Sequence, residues 1–296
     1  MRKIIFHIDV NSAYLSWTAV EELKKGAKVD LRQIPAIIGG DQKSRHGVVL
    51  AKSPLAKKYG IRTGEPVVNA FRKCPNLIMK APDHKMYREK SRRLMEYLRT
   101  FTEEIEQVSV DECYMDFTEI ADRFPSPQEG AECIRKGVKK QFGFTVNIGI
   151  SENKLLAKMA SDFEKPKGLT LILPEDAQDF LEKLPIEKFY GVGKRSVEKL
   201  HQLGVFTGAD LLEIPEMTLI DLFGRFGYDL YRKARGISNS PVKSNRIRKS
   251  IGSERTYGKL LYEEDDVKSE ISKNAQRVVD TLQRNHKVGR TIVLKV

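Results

Sequence analysis

The sequence is poor in cysteine, in clustered histidine and in long apolar runs, and each shortage removes a class of protein. Cys74, Cys113 and Cys133 are odd in number, widely spaced and free of any C-x-x-C pair, which excludes a disulfide framework and a zinc ribbon. His7, His46, His84, His201 and His286 lack metal-ligand spacing and read as structural or surface residues. The opening MRKIIFHIDV is too short an apolar stretch for a signal peptide or a membrane span, so a cytoplasmic protein is expected, with no membrane partner. Ser151-Glu152-Asn153-Lys154 matches the S-x-x-K of penicillin-binding enzymes, but no K-T-G or S-D-N accompanies it, and a helix cap explains it better. There is no fixed-period repeat and no low-complexity tract.

What is abundant is positive charge. Lys and Arg number 52 against 40 Asp and Glu, a formal net charge of +12, which favours a polyanionic partner and nucleic acid first. At 296 residues the chain exceeds what one hydrophobic core usually organises, so several small domains are expected.

Ile4, Ile5, Phe6 and Ile8 predict a strand ending at Asp9, followed by a helix over about 13–23. Strands are expected over 34–38 and 48–51, then a short helix ending at Tyr59-Gly60. Tyr87, Ser91, Leu94, Leu98, Phe101 and Ile105 recur every three or four residues and predict one long helix. EQVSVDECYMDF reads as two strands about a tight connection, with Asp111 and Glu112 at the bend. A helix (about 129–142), a strand (145–150) and a helix (about 153–163) complete a mixed sheet. Beyond Gly168 the texture turns to short helices. Residues 236–249 have the composition of an exposed basic linker, and a strand (250–257), a helix and a strand (291–296) follow. A β-α-β unit needs further strands for stability, so the chain is expected to be cut short by about a hundred residues.

A carboxylate at one strand end and two more at a bend can converge if the three strands are neighbours. Three such charges within about 4–5 Å stay ionised together only around a divalent cation. Mg²⁺ suits hard oxygen ligands, and a two-metal site of this kind performs nucleotidyl transfer. Spacing leaves a second reading open, in which the acids are ordinary turn residues facing water.

HIDVNSAY and SVDECYMDF resemble the two catalytic motifs of the Y-family DNA polymerases, bacterial DinB type, and the resemblance extends from Met1 to the chain's end. It implies an α+β multidomain right hand: a ferredoxin-like palm (1–18 and 79–168), small fingers (19–78), a helical thumb with a helix-hairpin-helix (169–238), a basic linker (239–248) and a partial β-α-β little finger (249–296). The implied activity is template-directed, Mg²⁺-dependent DNA synthesis with low fidelity on damaged templates. Primer-template DNA and dNTPs are the implied partners of a monomer, and a sliding clamp is a further candidate through a tail beyond Val296. By resemblance Asp9, Asp111, Glu112 and the Val10 carbonyl would hold two Mg²⁺ ions. Tyr14 matches the aromatic steric gate against a ribose 2′-hydroxyl. Lys165 matches the lysine that reaches the triphosphate. Lys57 stands where the family commonly has arginine, Pro54 where tyrosine is frequent, and Asn11 where an acid is common; Arg45 or Lys52 would compensate in the fingers.

Gly191-Val192-Gly193-Lys194 lies between two apolar helical segments, about 186–190 and 196–201, as in a helix-hairpin-helix whose glycines admit a phosphate to a helix start. Lys243, Arg246, Arg248, Lys249 and Arg255 would run beside a duplex, giving affinity without base reading. Two rivals remain at this point. A non-catalytic DNA-binding protein would use the hairpin and linker alone, and a cyclase-like palm would need neither.

Overall fold

In the computed structural model, residues 2–40, 47–163, 168–245, 248–257 and 260–295 are described. Strand β1 (Ile5–Val10) lies mid-sheet because almost every side chain on it is buried. After α1 (Ala13–Lys24), β2 (Ala36–Gly39), β3 (Val49–Lys52), α2 (Pro54–Lys58), α3 (Val67–Lys73) and β4 (Ile78–Lys80), the long α4 (His84–Arg99) returns the chain to β1. β5 (Ile105–Gln107), β6 (Glu112–Asp116), α5 (Pro127–Phe142), β7 (Val146–Ser151), α6 (Lys154–Phe163) and β8 (Leu169–Leu171) complete the large sheet in the order β5-β6-β1-β7-β8. β6 is antiparallel to both β5 and β1, so the three strands that the carboxylate reading requires lie side by side, and β7 flanks β1 on its other side.

Two helices, α4 and α5, cover one face. Phe6 stacks on Phe117 with centroids 4.3 Å apart, amid Trp17, Leu94, Leu98, Ile134 and Phe144. Each such fully buried ring or branched chain contributes roughly 1.5–3 kcal/mol. The other face takes α6, and Gly149 decides how closely: a Cβ there would lie 2.1 Å from the Ala157 carbonyl oxygen and 2.3 Å from the Ser161 nitrogen. Only glycine lets helix backbone rest on strand backbone in this way. The far side of α6 supplies Leu155, Leu156, Met159 and Ala160 to a separate helical cluster. That cluster is built from α7 (Pro174–Lys183), α8 (Lys194–Gln202), α9 (Gly208–Leu212), α10 (Glu216–Phe223) and α11 (Arg225–Ala234). A small sheet, β3-β2-β4, forms the third body with its own core of Ile37, Val49, Ile61 and Val67. The last helix, α12 (Glu264–Arg284), buries none of its residues.

Several expectations need correction. The helix predicted to run to Ile105 stops at Arg99: Thr100 turns its hydroxyl back to the Tyr97 carbonyl and Thr102 caps the Glu104 N–H, so Ile105 opens β5 instead. Pro66 starts a helix, α3, that the sequence reading passed over. The first helix of the hairpin is a single 3₁₀ turn, Ile186–Lys188, because Pro185 precedes it and the Ile186 N–H is committed to the Phe206 carbonyl. No strand forms over 250–257 or 291–295, since a strand exists only with a partner to ladder onto, and Ile292 stands 97% exposed.

Candidate active site

Antiparallel register sets the centre. Asp9 and Glu112 are direct Cα partners across β1 and β6, so their side chains leave the sheet on one face. The Val10 N–H donates to the Asp111 carbonyl at 3.0 Å, which fixes the bend beside the end of β1. Ser109 organises that bend: its hydroxyl donates to Asp111 Oδ1 at 2.6 Å and accepts the N–H groups of Asp111 (3.2 Å) and Glu112 (3.1 Å).

A lysine unforeseen in the sequence completes the group. Lys158, on α6, is 8% exposed and points its ammonium at Glu112 Oε1 (3.4 Å), Asp9 Oδ2 (3.8 Å) and Asp162 (3.3 Å). Beside it His7, fully buried on β1, lies 2.7 Å from the Ser161 hydroxyl through Nδ1 and 3.9 Å from Glu112 through Nε2. Among the described residues no three His, Cys, Asp or Glu side chains stand as a ready metal cage. The donor set nevertheless fits a hard cation: two carboxylates on one face already hold a positive charge between them, in the form of an ammonium. Asp111 is bound by the Ser109 hydroxyl, and its charge is felt at Tyr14.

Tyr14 arrives there through a tight turn. Ser12 takes the left-handed region (φ 47°), an unusual conformation for a residue with a Cβ, and α1 begins at once. Tyr14 then stacks on buried Tyr87, with His84 edge-on to both rings. Burial first, and the Asp111 charge second, push the Tyr14 phenol above its ordinary pKa, so it stays protonated at neutral pH.

On the small sheet, Lys57 is exposed at the end of α2, and Lys52 donates to the Thr63 hydroxyl at 3.0 Å. Burial, then the nearby Lys57 charge, lowers the Lys52 pKa, so these two cations share one field. Arg45, Lys165 and Arg246 lie outside the described residues. At the hairpin, Gly191 has φ +86°, Gly193 caps α8, and the space a Cβ would occupy on Gly193 is open. Lys194 is fully exposed beside it, and Lys233 donates to the Tyr190 carbonyl at 3.0 Å, bracing the turn from behind. Arg248 and Lys249 are exposed. Arg255 is partly engaged, 3.6 Å from Glu270 and over the Tyr257 ring.

Residues 8–162, which carry all three carboxylates and Lys158, match the impB/mucB/samB family. The chain belongs to that family. Residues 174–205 match the family's HHH motif, and 248–296 its C-terminal domain. DNA polymerase IV of Streptococcus pyogenes serotype M3 is 53% identical over 297 residues, covering all of this chain and 80% of the relative. DNA polymerase IV of Streptococcus agalactiae serotype Ia is 52% identical with the same coverage. Among solved structures, DinB from Sulfolobus solfataricus superposes with TM-score 0.73 at 27% identity, covering 81% of this chain and 69% of that one. A chimeric Y-family DNA polymerase superposes with TM-score 0.81 at 26% identity over 94% of this chain and 80% of that one.

Proposed function

We propose that this chain copies a DNA template by joining deoxynucleotides to a primer 3′-hydroxyl at the face shared by Asp9, Asp111 and Glu112. It is a Y-family, DNA-directed DNA polymerase of the translesion type. The observation that carries the site assignment is the pairing of Asp9 with Glu112 across β1 and β6 around a cationic group. The accessory-protein reading leaves that pairing without a purpose.

In this reading 1–18 and 79–168 form the palm, 19–78 the fingers, 169–238 the thumb, 239–248 a basic linker and 249–296 part of the little finger. The family depends on divalent metal, and two Mg²⁺ ions held by Asp9, Asp111, Glu112 and the Val10 carbonyl would lower the pKa of the primer hydroxyl and neutralise the departing pyrophosphate. Ser109 aims Asp111 through its hydroxyl. The Tyr14 ring stands where a ribose 2′-hydroxyl would have to go and so selects deoxyribonucleotides. Lys52 and Lys57, with Lys165 and Arg45, supply positive charge for the triphosphate. As point charges the lysines grip it without the bidentate geometry of arginine. Gly191, Gly193 and Lys194 receive a backbone phosphate at the start of α8, with Arg248 and Arg255 and the neighbouring Arg246 along the duplex. DNA and nucleotide are the substrates in this reading, and a ternary complex of Dbh with its substrates matches with TM-score 0.71 at 26% identity over 81% of this chain and 69% of that one.

The test is primer extension with Mg²⁺, comparing dNTPs with rNTPs. The wild-type chain should extend with dNTPs, and Asp111→Ala should abolish extension while DNA binding survives. Extension that persists in Asp111→Ala, or DNA binding with no extension by the wild type, would refute the reading.

A further inference from the structure

Lys158 is given no catalytic role above, yet it is a buried cation at the centre of the site. α6 cannot shift to move it, because helix backbone rests on Gly149 on one side and the helical cluster packs Leu155, Leu156 and Met159 on the other. The Ser161 hydroxyl donates to the Lys158 carbonyl at 2.8 Å and ties that turn to His7. Only the four-carbon side chain is free to swing. Its ammonium lies between Asp9 and Glu112 and, at 3.3 Å, beside Asp162 one helical turn on. Asp162 differs from the other two: its side chain is 46% exposed and it lies on the helix rather than on the sheet.

We propose that Lys158 is a resident counter-cation that holds Asp9 and Glu112 aligned before metal arrives, and that Asp162 receives its ammonium when metal enters. Lys158 is thus a positioning residue. It spares the palm the mutual repulsion of its carboxylates, and in exchange it competes with the incoming cation. Removing the ammonium relieves that competition. Removing Asp162 takes away its alternative partner and strengthens the competition. The inference rests on the reading of Asp9 and Glu112 as metal ligands.

The experiment titrates Mg²⁺ against the thermal midpoint of the chain without DNA or nucleotide, at constant ionic strength, with Mn²⁺ binding followed in parallel by loss of the free-ion paramagnetic resonance signal. Lys158→Met should move the half-saturating metal concentration down at least about fivefold, the lower range of ordinary coupling between sites. Lys158→Arg should restore a value near wild type, and Asp162→Asn should move the midpoint up. In the Lys158→Met background, Asp162→Asn should add little, because its effect passes through the lysine.

An unchanged or higher midpoint in Lys158→Met overturns the inference, as does a full Asp162→Asn effect in the double variant, which would mark a simple field effect. Should Lys158→Met not fold, Asp162→Asn still decides on its half-exposed position: an unchanged or lower midpoint refutes the exchange. A wild-type chain with no metal response overturns the metal reading itself. A response that Lys158→Met leaves unaltered overturns only the role of Lys158.

Discussion

Tyr14 lies flat on Tyr87, with ring centroids 4.3 Å apart and planes 7° from parallel. Tyr87 is itself immobile: it is buried, and its hydroxyl and that of Thr18 lie within hydrogen-bond distance at 3.0 Å. The Thr18 hydroxyl also donates to the Tyr14 carbonyl at 2.7 Å, so backbone and ring of the proposed gate are set by one local network. A stack of this kind is worth about 0.5–1.5 kcal/mol beyond its area.

Replacing Tyr87 by Leu should therefore loosen the Tyr14 ring and lower the ratio of kcat/KM for dNTP over rNTP roughly 2- to 10-fold. Tyr14→Ala, which removes the ring, should lower it further. Steady-state kinetics with matched nucleotides measures both, and an unchanged ratio in Tyr87→Leu would mean that the gate needs no support from behind.

Gly149 carries a stability prediction. Its α-hydrogens face the Ala157 carbonyl oxygen and the Ser161 N–H, and both are backbone groups that cannot rotate away. Gly149→Ala should force α6 off the sheet at a cost of about 3 kcal/mol, lowering the unfolding midpoint by roughly 6–12 °C. Calorimetry checks the midpoint. A variant as stable as wild type would show that α6 has slack, which would also weaken the case for a fixed Lys158.

The same contact explains what the sequence concealed. That Asp9, Asp111 and Glu112 could converge was legible because they end or bend strands whose alternation, Ile4 to Ile8 and Val108 to Phe117, is a local signal; their reading as one site came from the resemblance carried by HIDVNSAY and SVDECYMDF. Lys158 was not legible: a lysine within the helix expected over about 153–163 carries no local sign that it is buried. α6 is in fact buried from Leu155 to Ser161, and only the close approach at Gly149 makes it so. A lysine between Ala157 and Met159, with Asp162 one turn on, was the one available hint. The helix drawn through to Ile105 failed for a related reason, since a spacing of three or four residues cannot register a stop made by threonine hydroxyls. The strands expected over 250–257 and 291–296 failed because pairing is not a local property. The small helix at Val67–Lys73 and the bracing of the hairpin by Lys233 likewise depend on contacts distant in sequence.

Cysteine reactivity should divide sharply. Cys113 is wholly buried in β6, and burial pushes its thiol up to about 12. Cys74 is buried as well, whereas Cys133 is exposed on α5. Because the thiolate is the nucleophile, a disulfide reagent at pH 8 should label one thiol per native chain quickly and all three after denaturation. Stability should also fall as the pH rises above about 9, where the Cys113 thiol ionises in the unfolded chain but not in the folded one. Fast labelling of two or more native thiols would contradict the burial of β6.

The linker is the last point at which charge and packing can be separated. Glu106 Oε2 accepts the Lys154 ammonium at 2.6 Å and the Lys243 N–H at 2.9 Å, while Asn153 donates to the Gly236 carbonyl at 3.0 Å. Val242 packs on Ile5, Tyr114 and Ala157, and Lys154 lies over the Tyr114 ring. The segment expected to be a solvated basic tether is thus clasped to the large sheet over its first half. Charge-assisted bonds to a half-buried carboxylate contribute roughly 1.5–3 kcal/mol in favourable cases. Glu106→Ala should release the clasp without unfolding the sheet, so trypsin should cut after Lys243 several-fold faster while the thermal midpoint moves little. Glu106→Gln, which can still accept the Lys243 N–H, should fall between the two. If Lys243 is cut equally fast in all three chains, Val242 and not Glu106 holds the linker down.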